Sequence, residues 1–204
     1  MMDLHVRNFK LLRKGKIFVI SAPSGTGKTV LINEILKSRP NMRLSVSYTT
    51  RSKRAGEVNG KDYVFTSKEN FEKLISEGFF LEYNSIFDNY YGIPNIDADL
   101  LRKQGENIVF IVEYHGYKLL KELFHDIVGI YILPPSFEEL ARRLSIRNTD
   151  HNIQKRLSDY EQQLQVVEKY DYLVINDDIE KAKQELNSII SSEILRTGNM
   201  LFSY

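Results

Sequence analysis

An eight-residue loop between a short apolar run and an amphipathic segment constrains the fold of this chain more than any other feature. The apolar run covers residues 17–20, and the segment after the loop has apolar residues at helical spacing, including Leu31 and Ile35. A strand, a small-residue turn and a helix in this order place backbone N–H groups at a helix N-terminus, where phosphate groups bind. The loop comprises Ala22, Pro23, Ser24, Gly25, Thr26, Gly27, Lys28 and Thr29.

Lys28 and Thr29 indicate that the ligand of this loop is a nucleoside triphosphate. In the pattern G-x-x-x-x-G-K-[ST], the lysine reaches the β and γ phosphates and the hydroxyl ligates Mg²⁺. Ala22 replaces the first glycine of that pattern, which is a small departure. A glycine-rich turn without a ligand is the alternative, but the flanking strand and helix favour nucleotide binding. We therefore expect ATP and Mg²⁺ as cofactors, with all eight loop residues contacting ATP.

Further apolar runs predict a parallel sheet. They cover residues 44–46, 108–112, 128–133 and 172–175, and helix-length sequence separates most of them. Nearly continuous runs of Val, Ile and Leu are typical of strands that are buried on both faces. The predicted fold class is therefore α/β, with a parallel sheet and helices on both of its faces.

Polar segments divide the chain into three predicted regions. Residues 47–96 contain turns, aromatic residues and a predicted hairpin at Asp88 and Asn89. These features predict an inserted subdomain, which we expect to bind a second substrate, the acceptor. Residues 147–156 are polar and lack an apolar period, so we expect a lid there. The core domain is predicted to comprise residues 1–46, 97–146 and 157–204.

Local signals predict several helix ends. Pro94 suits the first turn of a helix that ends at Gly105. Ser67 is a typical N-cap residue. Ser136, followed three residues later by Glu139, matches a capping box.

The composition excludes several classes of function. The 204 residues suit one ordinary domain, and a formal net charge of +1 indicates no general attraction to nucleic acid or anionic lipid. The absence of cysteine excludes disulfides and thiolate chemistry, and the four histidines have no metal-ligand spacing. Because no signal peptide or continuous apolar span is evident, we expect a cytoplasmic protein without nucleic-acid or membrane partners.

Two arginines predict a second anion site. Arg51 and Arg54 lie three residues apart, so both guanidinium groups can donate charge-assisted hydrogen bonds to one phosphate. A solvated basic turn is the alternative for an arbitrary loop. Hydroxyl groups of Ser47, Tyr63 and Tyr91 complete the predicted cage.

The segment around these arginines resembles the guanylate kinase family. Residues 45–65 read SVSYTTRSKRAGEVNGKDYVF, and the similarity extends from about residue 15 to the helix that begins near Asp178. The resemblance implies the fold of P-loop nucleoside monophosphate kinases. It also implies in-line transfer of phosphate from ATP to GMP or dGMP, by a monomer or homodimer.

The resemblance also implies roles for residues outside the two anion sites. Glu82 corresponds to the carboxylate that accepts hydrogen bonds from the N1–H and 2-amino groups of guanine. Glu113 is expected to contact the acceptor and, through water, Mg²⁺, and Asn176 is expected to contact the adenine base. The arginines expected to close over the transferring phosphate are Arg143, Arg147 and Arg156.

Three positions depart from the family pattern and leave alternatives open. Ile93 stands where a hydroxyl residue is usual, Ile111 where an aspartate is usual, and Glu113 where a shorter carboxylate is usual. The stretch from Tyr91 to Pro94 also resembles ribose bisphosphate phosphokinases, so a kinase of ribose 1,5-bisphosphate is the main alternative. A phosphopeptide-binding module without catalysis is a further alternative, against which the intact loop argues.

Overall fold

The computed structural model describes residues 10–86, 88–96, 98–146 and 153–203. Its strands are β1 (Lys10–Arg13), β2 (Ile17–Ser21), β3 (Met42–Leu44), β4 (Tyr48–Thr49), β5 (Val64–Phe65), β6 (Phe80–Ile86), β7 (Asn89–Pro94), β8 (Asn107–Ile111), β9 (Val128–Leu133), β10 (Tyr172–Ile175) and β11 (Met200–Ser203). Its helices are α1 (Lys28–Ser38), α2 (Lys68–Ser76), α3 (Ala98–Lys103), α4 (Tyr114–Leu123), α5 (Phe137–Ile146), α6 (Ile153–Leu164) and α7 (Ile179–Ile194).

Five parallel strands form the central sheet, in the order β10-β9-β2-β8-β3. Every residue of β2 and β9 is buried, as expected of parallel strands covered on both faces. The α/β class is therefore confirmed, and β9 and β10 have the predicted bounds. The strand predicted at residues 44–46 instead covers Met42–Leu44, because the chain leaves the sheet after Leu44 to enter the inserted region.

Side chains of the central strands alternate between two hydrophobic clusters. Ile17 and Val19 belong to one cluster, and Phe18 and Ile20 belong to the other. Helices α4 and α5 contribute to the first cluster, while α1 and α7 contribute to the second. Helices thus bury both faces of the sheet. Because its strands are parallel, their carboxyl ends lie along one edge.

A second sheet with the order β5-β4-β7-β6 is built from the inserted region. Phe71 of α2 stacks on Phe80 and Tyr90, with ring centroids 4.4 and 5.2 Å apart, and so fastens the helix to this sheet. The predicted hairpin is confirmed, since β6 and β7 are antiparallel and Asp88 between them has a φ of 61°. The division of the chain at residues 47 and 96 stays a prediction, and residues 147–152 of the proposed lid lie outside the described part.

Helix ends follow the local signals with one exception. The Ser67 and Ser136 hydroxyls accept hydrogen bonds from the N–H groups of Asn70 and Glu139, as predicted. The prediction that a helix begins at Pro94 is wrong, since Pro94 ends β7 and α3 begins at Ala98. The end of a strand tolerates proline because a missing N–H there interrupts no ladder.

The two ends of the described chain pair with each other. Strands β1 and β11 form an antiparallel ribbon, and the Lys14 N–H donates to the Asn199 carbonyl at 2.7 Å. This pairing was not predicted, because it joins residues almost the full chain length apart. None of the helices in the described ranges is long and apolar enough to cross a membrane.

Gly129 in β9 provides a test of core packing. A Cβ atom at this position would lie 2.6 Å from the ring of Tyr117, which stacks on Tyr170. We expect Gly129→Ala to destabilise the protein by about 1–3 kcal/mol through overpacking. Thermal unfolding by circular dichroism measures this, with Gly198→Ala as the control because no atom lies within 4 Å of its added Cβ. Equal melting temperatures for the two variants would contradict the packing described.

Candidate active site

A cavity of about 650 Å³ lies between the loop after β2 and the inserted sheet. All eight loop residues line it, and so do all seven residues that the sequence predicted for the acceptor. The two predicted anion sites therefore share one cavity. The acceptor residues are Ser47, Arg51, Arg54, Tyr63, Glu82, Tyr91 and Glu113.

The loop after β2 has the backbone of an anion cradle. Gly25 and Gly27 have φ values of 95° and 88°, a conformation that favours glycine. The Thr26 hydroxyl donates to the Pro23 carbonyl at 3.0 Å, and the Asn176 side-chain amide donates to the Thr26 carbonyl at 2.6 Å. These two hydrogen bonds hold the loop carbonyls, which leaves the N–H groups at the start of α1 for an anion.

Lys28 and Glu113 both line the cavity and lie close enough for their charges to interact. Burial lowers the pKa of the Lys28 ammonium group, and the negative charge of Glu113 opposes that shift. Glu113 is exposed and precedes the first residue of α4, at the carboxyl end of β8. The neighbouring Thr29 is also exposed and lines the same cavity.

Glu57 holds both arginines of the second anion site. Its two oxygens accept from the Arg51 guanidinium at 2.7 and 2.9 Å, and one of them also accepts from the Arg54 N–H at 2.7 Å. Burial alone would raise the pKa of Glu57, but these hydrogen bonds hold it below its ordinary value. The carboxylate therefore stays ionised and fixes the direction of the Arg51 guanidinium.

Two tyrosines complete this side of the cavity. The rings of Tyr63 and Tyr91 lie edge to face with centroids 6.0 Å apart, and the Arg51 guanidinium lies 5.3 Å from the Tyr63 ring. Burial raises the pKa of Tyr63 to about 12, which keeps its hydroxyl protonated as a donor. Cations and hydroxyl donors thus surround a common space, as binding of a phosphate requires.

Glu82 lies at the deep end of the acceptor side. It is 9% exposed, and its Oε1 atom has no hydrogen-bond partner among the described residues. Burial raises the pKa of this carboxyl above 4.5, and the nearby His115 side chain acts in the opposite direction. Gly116 packs beside it, since a Cβ there would lie 3.4 Å from Oε2 and 3.0 Å from the Val112 side chain. A buried carboxylate oxygen without a partner marks a subsite for a ligand with donor groups.

Comparison with known proteins places the chain in a family. The sequence model described as guanylate kinase matches residues 14–193. The chain belongs to the guanylate kinase family. A guanylate kinase from Neisseria gonorrhoeae is 43% identical over 191 residues, which are 93% of each chain. One from Clostridioides difficile is 41% identical over 184 residues, 89% of this chain and 90% of its own.

A solved structure agrees with this membership. The crystal structure of guanylate kinase from Anaplasma phagocytophilum superimposes with a TM-score of 0.78 at 32% identity, covering 94% of this chain and 92% of that one. The family and the class of enzyme expected from the sequence, a nucleotide-binding kinase, are therefore confirmed. Neither the ribose bisphosphate phosphokinase nor the binding-module alternative is supported.

Two further predicted residues of this guanylate kinase family member, Asn176 and Arg143, are described by the structure and do not line the cavity. Asn176 lies beneath the loop, is 4% exposed, and contacts the loop backbone. Arg143 donates to Glu139 at 2.7 Å and to the Asn176 carbonyl at 3.1 Å. Arg147 lies outside the described residues, and so does the side chain of Arg156, whose backbone belongs to α6.

Several cavity residues were missed from the sequence. Glu57 stands inside the family motif and was not assigned a role, although a carboxylate in the same loop as Arg51 is a signal for an ion pair. Asn84 lies two residues after Glu82, on the same face of β6, so strand alternation could have found it. Gln163 of α6 accepts from the Tyr131 hydroxyl at 3.3 Å, a contact that no local signal predicts.

The raised pKa of Glu82 predicts that its carboxylate form destabilises the fold. A carboxyl whose pKa is higher in the folded state stabilises the fold below that pKa and loses this contribution as pH rises through it. At pH 8 we expect Glu82→Gln to raise the melting temperature by about 2–4 °C, equivalent to about 1 kcal/mol, and the gain to shrink as pH falls. Calorimetric melting between pH 5 and pH 8 measures this. A gain that grows in acid would contradict the direction of the shift.

Proposed function

We propose that this chain transfers the γ-phosphoryl group of ATP to GMP or dGMP, giving ADP and GDP or dGDP. ATP is assigned to the loop after β2, and GMP to the inserted region. The observation that carries the proposal is that the loop amides with Lys28 and the arginines held by Glu57 face one cavity. An acceptor phosphate and a donor triphosphate bound there would meet, which is the main requirement of phosphoryl transfer.

The residues of the chain contribute position and charge. Loop N–H groups and the Lys28 ammonium bind the triphosphate, while Arg51 and Arg54 orient the acceptor phosphate. Glu57 prevents the Arg51 guanidinium from reorienting when substrate enters. A phosphate oxygen is already a nucleophile, so no side chain is required to remove a proton from it. Preorganised cations near the transferring group therefore account for much of the expected acceleration.

The oxygen donor groups near Lys28 suit Mg²⁺. This ion usually takes one or two protein oxygens and completes its shell with water and substrate phosphates. The Thr29 hydroxyl and the Glu113 carboxylate are exposed oxygen donors beside Lys28. When bound, Mg²⁺ neutralises charge on the phosphates. We assign Thr29 as its direct ligand and Glu113 as a ligand through water.

Glu82 is assigned to the recognition of guanine. Its two oxygens can accept from the N1–H and 2-amino groups of the base, which would satisfy the partnerless Oε1. Adenine lacks this pair of donors and would leave a buried carboxylate without partners, which disfavours AMP. Base selection is thus proposed to rest on a penalty against the wrong base as well as on attraction to the right one.

Several assignments extend beyond the cavity. Arg143, Arg147 and Arg156 are proposed to approach the phosphates when the predicted lid closes, and such closure would exclude water from the transfer. Asn176 is proposed to contact adenine through the amide hydrogen and oxygen that its bond to the Thr26 carbonyl leaves, and that bond gives it a supporting role as well. The cytoplasmic location, the absence of nucleic-acid and membrane partners, and the monomeric or dimeric state stay predictions.

Steady-state turnover tests the proposal. ADP release is followed with ATP, Mg²⁺ and a panel of GMP, dGMP, AMP and ribose 1,5-bisphosphate. We expect turnover with the guanine nucleotides and a loss of kcat of about a hundredfold or more in Lys28→Ala. Lys37→Ala is the control, since this lysine is exposed on the same helix. Absence of ADP release with GMP and dGMP in the unaltered chain would refute the proposed function.

Glu57 provides a second prediction about the acceptor site. Glu57→Gln loses the charge that orients Arg51, and its amide NH2 group must face a donor, either the Arg51 guanidinium or the Arg54 N–H. We expect KM for GMP to rise by roughly tenfold to a hundredfold, with a smaller change in KM for ATP. Glu69→Gln, on the exposed start of α2, is the matched control. An unchanged KM for GMP would show that Glu57 does not position the arginine.

A further inference from the structure

Asn84 places a side-chain amide in the acceptor part of the cavity. The residue is half-buried and lines the cavity wall. Its amide makes no hydrogen bond to any residue in the described ranges of the chain. An amide carries two donor hydrogens and an acceptor oxygen, and neither polar atom of Asn84 is sealed inside the protein. Because no residue in the described ranges occupies these groups and the side chain lines the cavity, they are available to a ligand bound there.

The pleat of β6 sets Asn84 beside Glu82. Residues two apart on a strand point to the same face, so Glu82, Asn84 and Ile86 form one row. Across the hairpin, Glu82 pairs with Ile93 and Asn84 pairs with Tyr91. All five of these side chains line the cavity. Asn84 is therefore the next polar group after Glu82, and it lies diagonally opposite Ile93, at roughly 7–8 Å between Cα atoms.

The chemistry of a guanine base leaves one group beside Glu82 without a partner. If Glu82 accepts from N1–H and the 2-amino group, as the proposed function has it, the adjacent O6 carbonyl still needs a donor. Ile93 is apolar and only 2% exposed, so it cannot supply one. The Asn84 amide can donate from the same wall of the cavity.

We propose that Asn84 is a further base-binding residue, which donates from its amide to the O6 carbonyl of the acceptor nucleotide. The assignment rests on the proposed function, since it takes a 6-oxopurine as the ligand of this subsite. Asn84 adds affinity for the base, whereas Glu82 rejects adenine. An amide can rotate and accept from an amino group, while a carboxylate cannot donate to a base that lacks its donors.

Acceptor kinetics with Asn84→Ala test this assignment. We expect KM to rise by about five- to tenfold for GMP, dGMP and IMP alike, because all three carry O6. A change in kcat below about twofold is expected, since the contact lies away from the transferring phosphate. Asn95→Ala is the matched control, because Asn95 is an exposed asparagine next to the same hairpin and does not line the cavity.

Asn84→Asp separates the loss of donors from the loss of volume. This variant keeps the shape of the side chain but replaces both donor hydrogens with a charged acceptor next to Glu82. We expect its KM for GMP to rise at least as much as that of Asn84→Ala. An unchanged KM in either variant would overturn the assignment. A rise for GMP but not for dGMP would overturn it as well, since it would place the amide on the ribose 2′-hydroxyl.

The outcome for the unaltered chain distinguishes two failures. Turnover of GMP by the unaltered chain, together with unaffected Asn84 variants, would refute only the role of Asn84. Absence of GMP turnover in the unaltered chain would refute the proposed function itself. Melting temperatures of the variants are measured in parallel, and because Asn84 has no partner in the described structure, we expect them to stay within about 2 °C of the unaltered chain.

Discussion

The turn that joins β2 to α1 is the constraint on which the rest of the site depends. It is possible only with backbone conformations such as those of Gly25 and Gly27, and the Asn176 amide holds it from below. Because the central strands are parallel, their carboxyl ends share one edge with this turn. Glu113 after β8 and Asn176 after β10 therefore reach the phosphate loop without any special arrangement of their own.

Carboxylates lie close to the cations of the site, and one of them fixes the direction of Arg51. Glu57 binds Arg51 with both oxygens, and Glu113 lies close to Lys28. The chain as a whole has a net charge of +1, so attraction of anionic substrates depends on these local groups. Cations that are oriented before substrate arrives need little reorganisation in the transition state, which is the electrostatic contribution expected of a phosphoryl-transfer enzyme.

The acceptor side of the cavity carries polar groups that reduce the stability of the fold and that we propose bind the acceptor base. Glu82 is buried with an oxygen that has no protein partner, and the same wall carries the amide of Asn84. Ile93, which pairs with Glu82 across the hairpin, is apolar, so both of these polar groups come from β6. Local violations of packing rules of this kind are expected mainly at functional or strained sites.

Sequence patterns alone predicted the class of fold, the bounds of β9 and β10, and two groups of residues that the structure brings to one cavity. These follow from local patterns, since apolar runs, capping residues and short motifs act over a few neighbouring positions. Only the tertiary structure decided that Asn176 supports the loop from below, that β1 pairs with β11, and that Tyr131 contacts Gln163. These contacts join residues far apart in the chain. They depend on how the helices and sheets pack together, and no local sequence pattern encodes that packing.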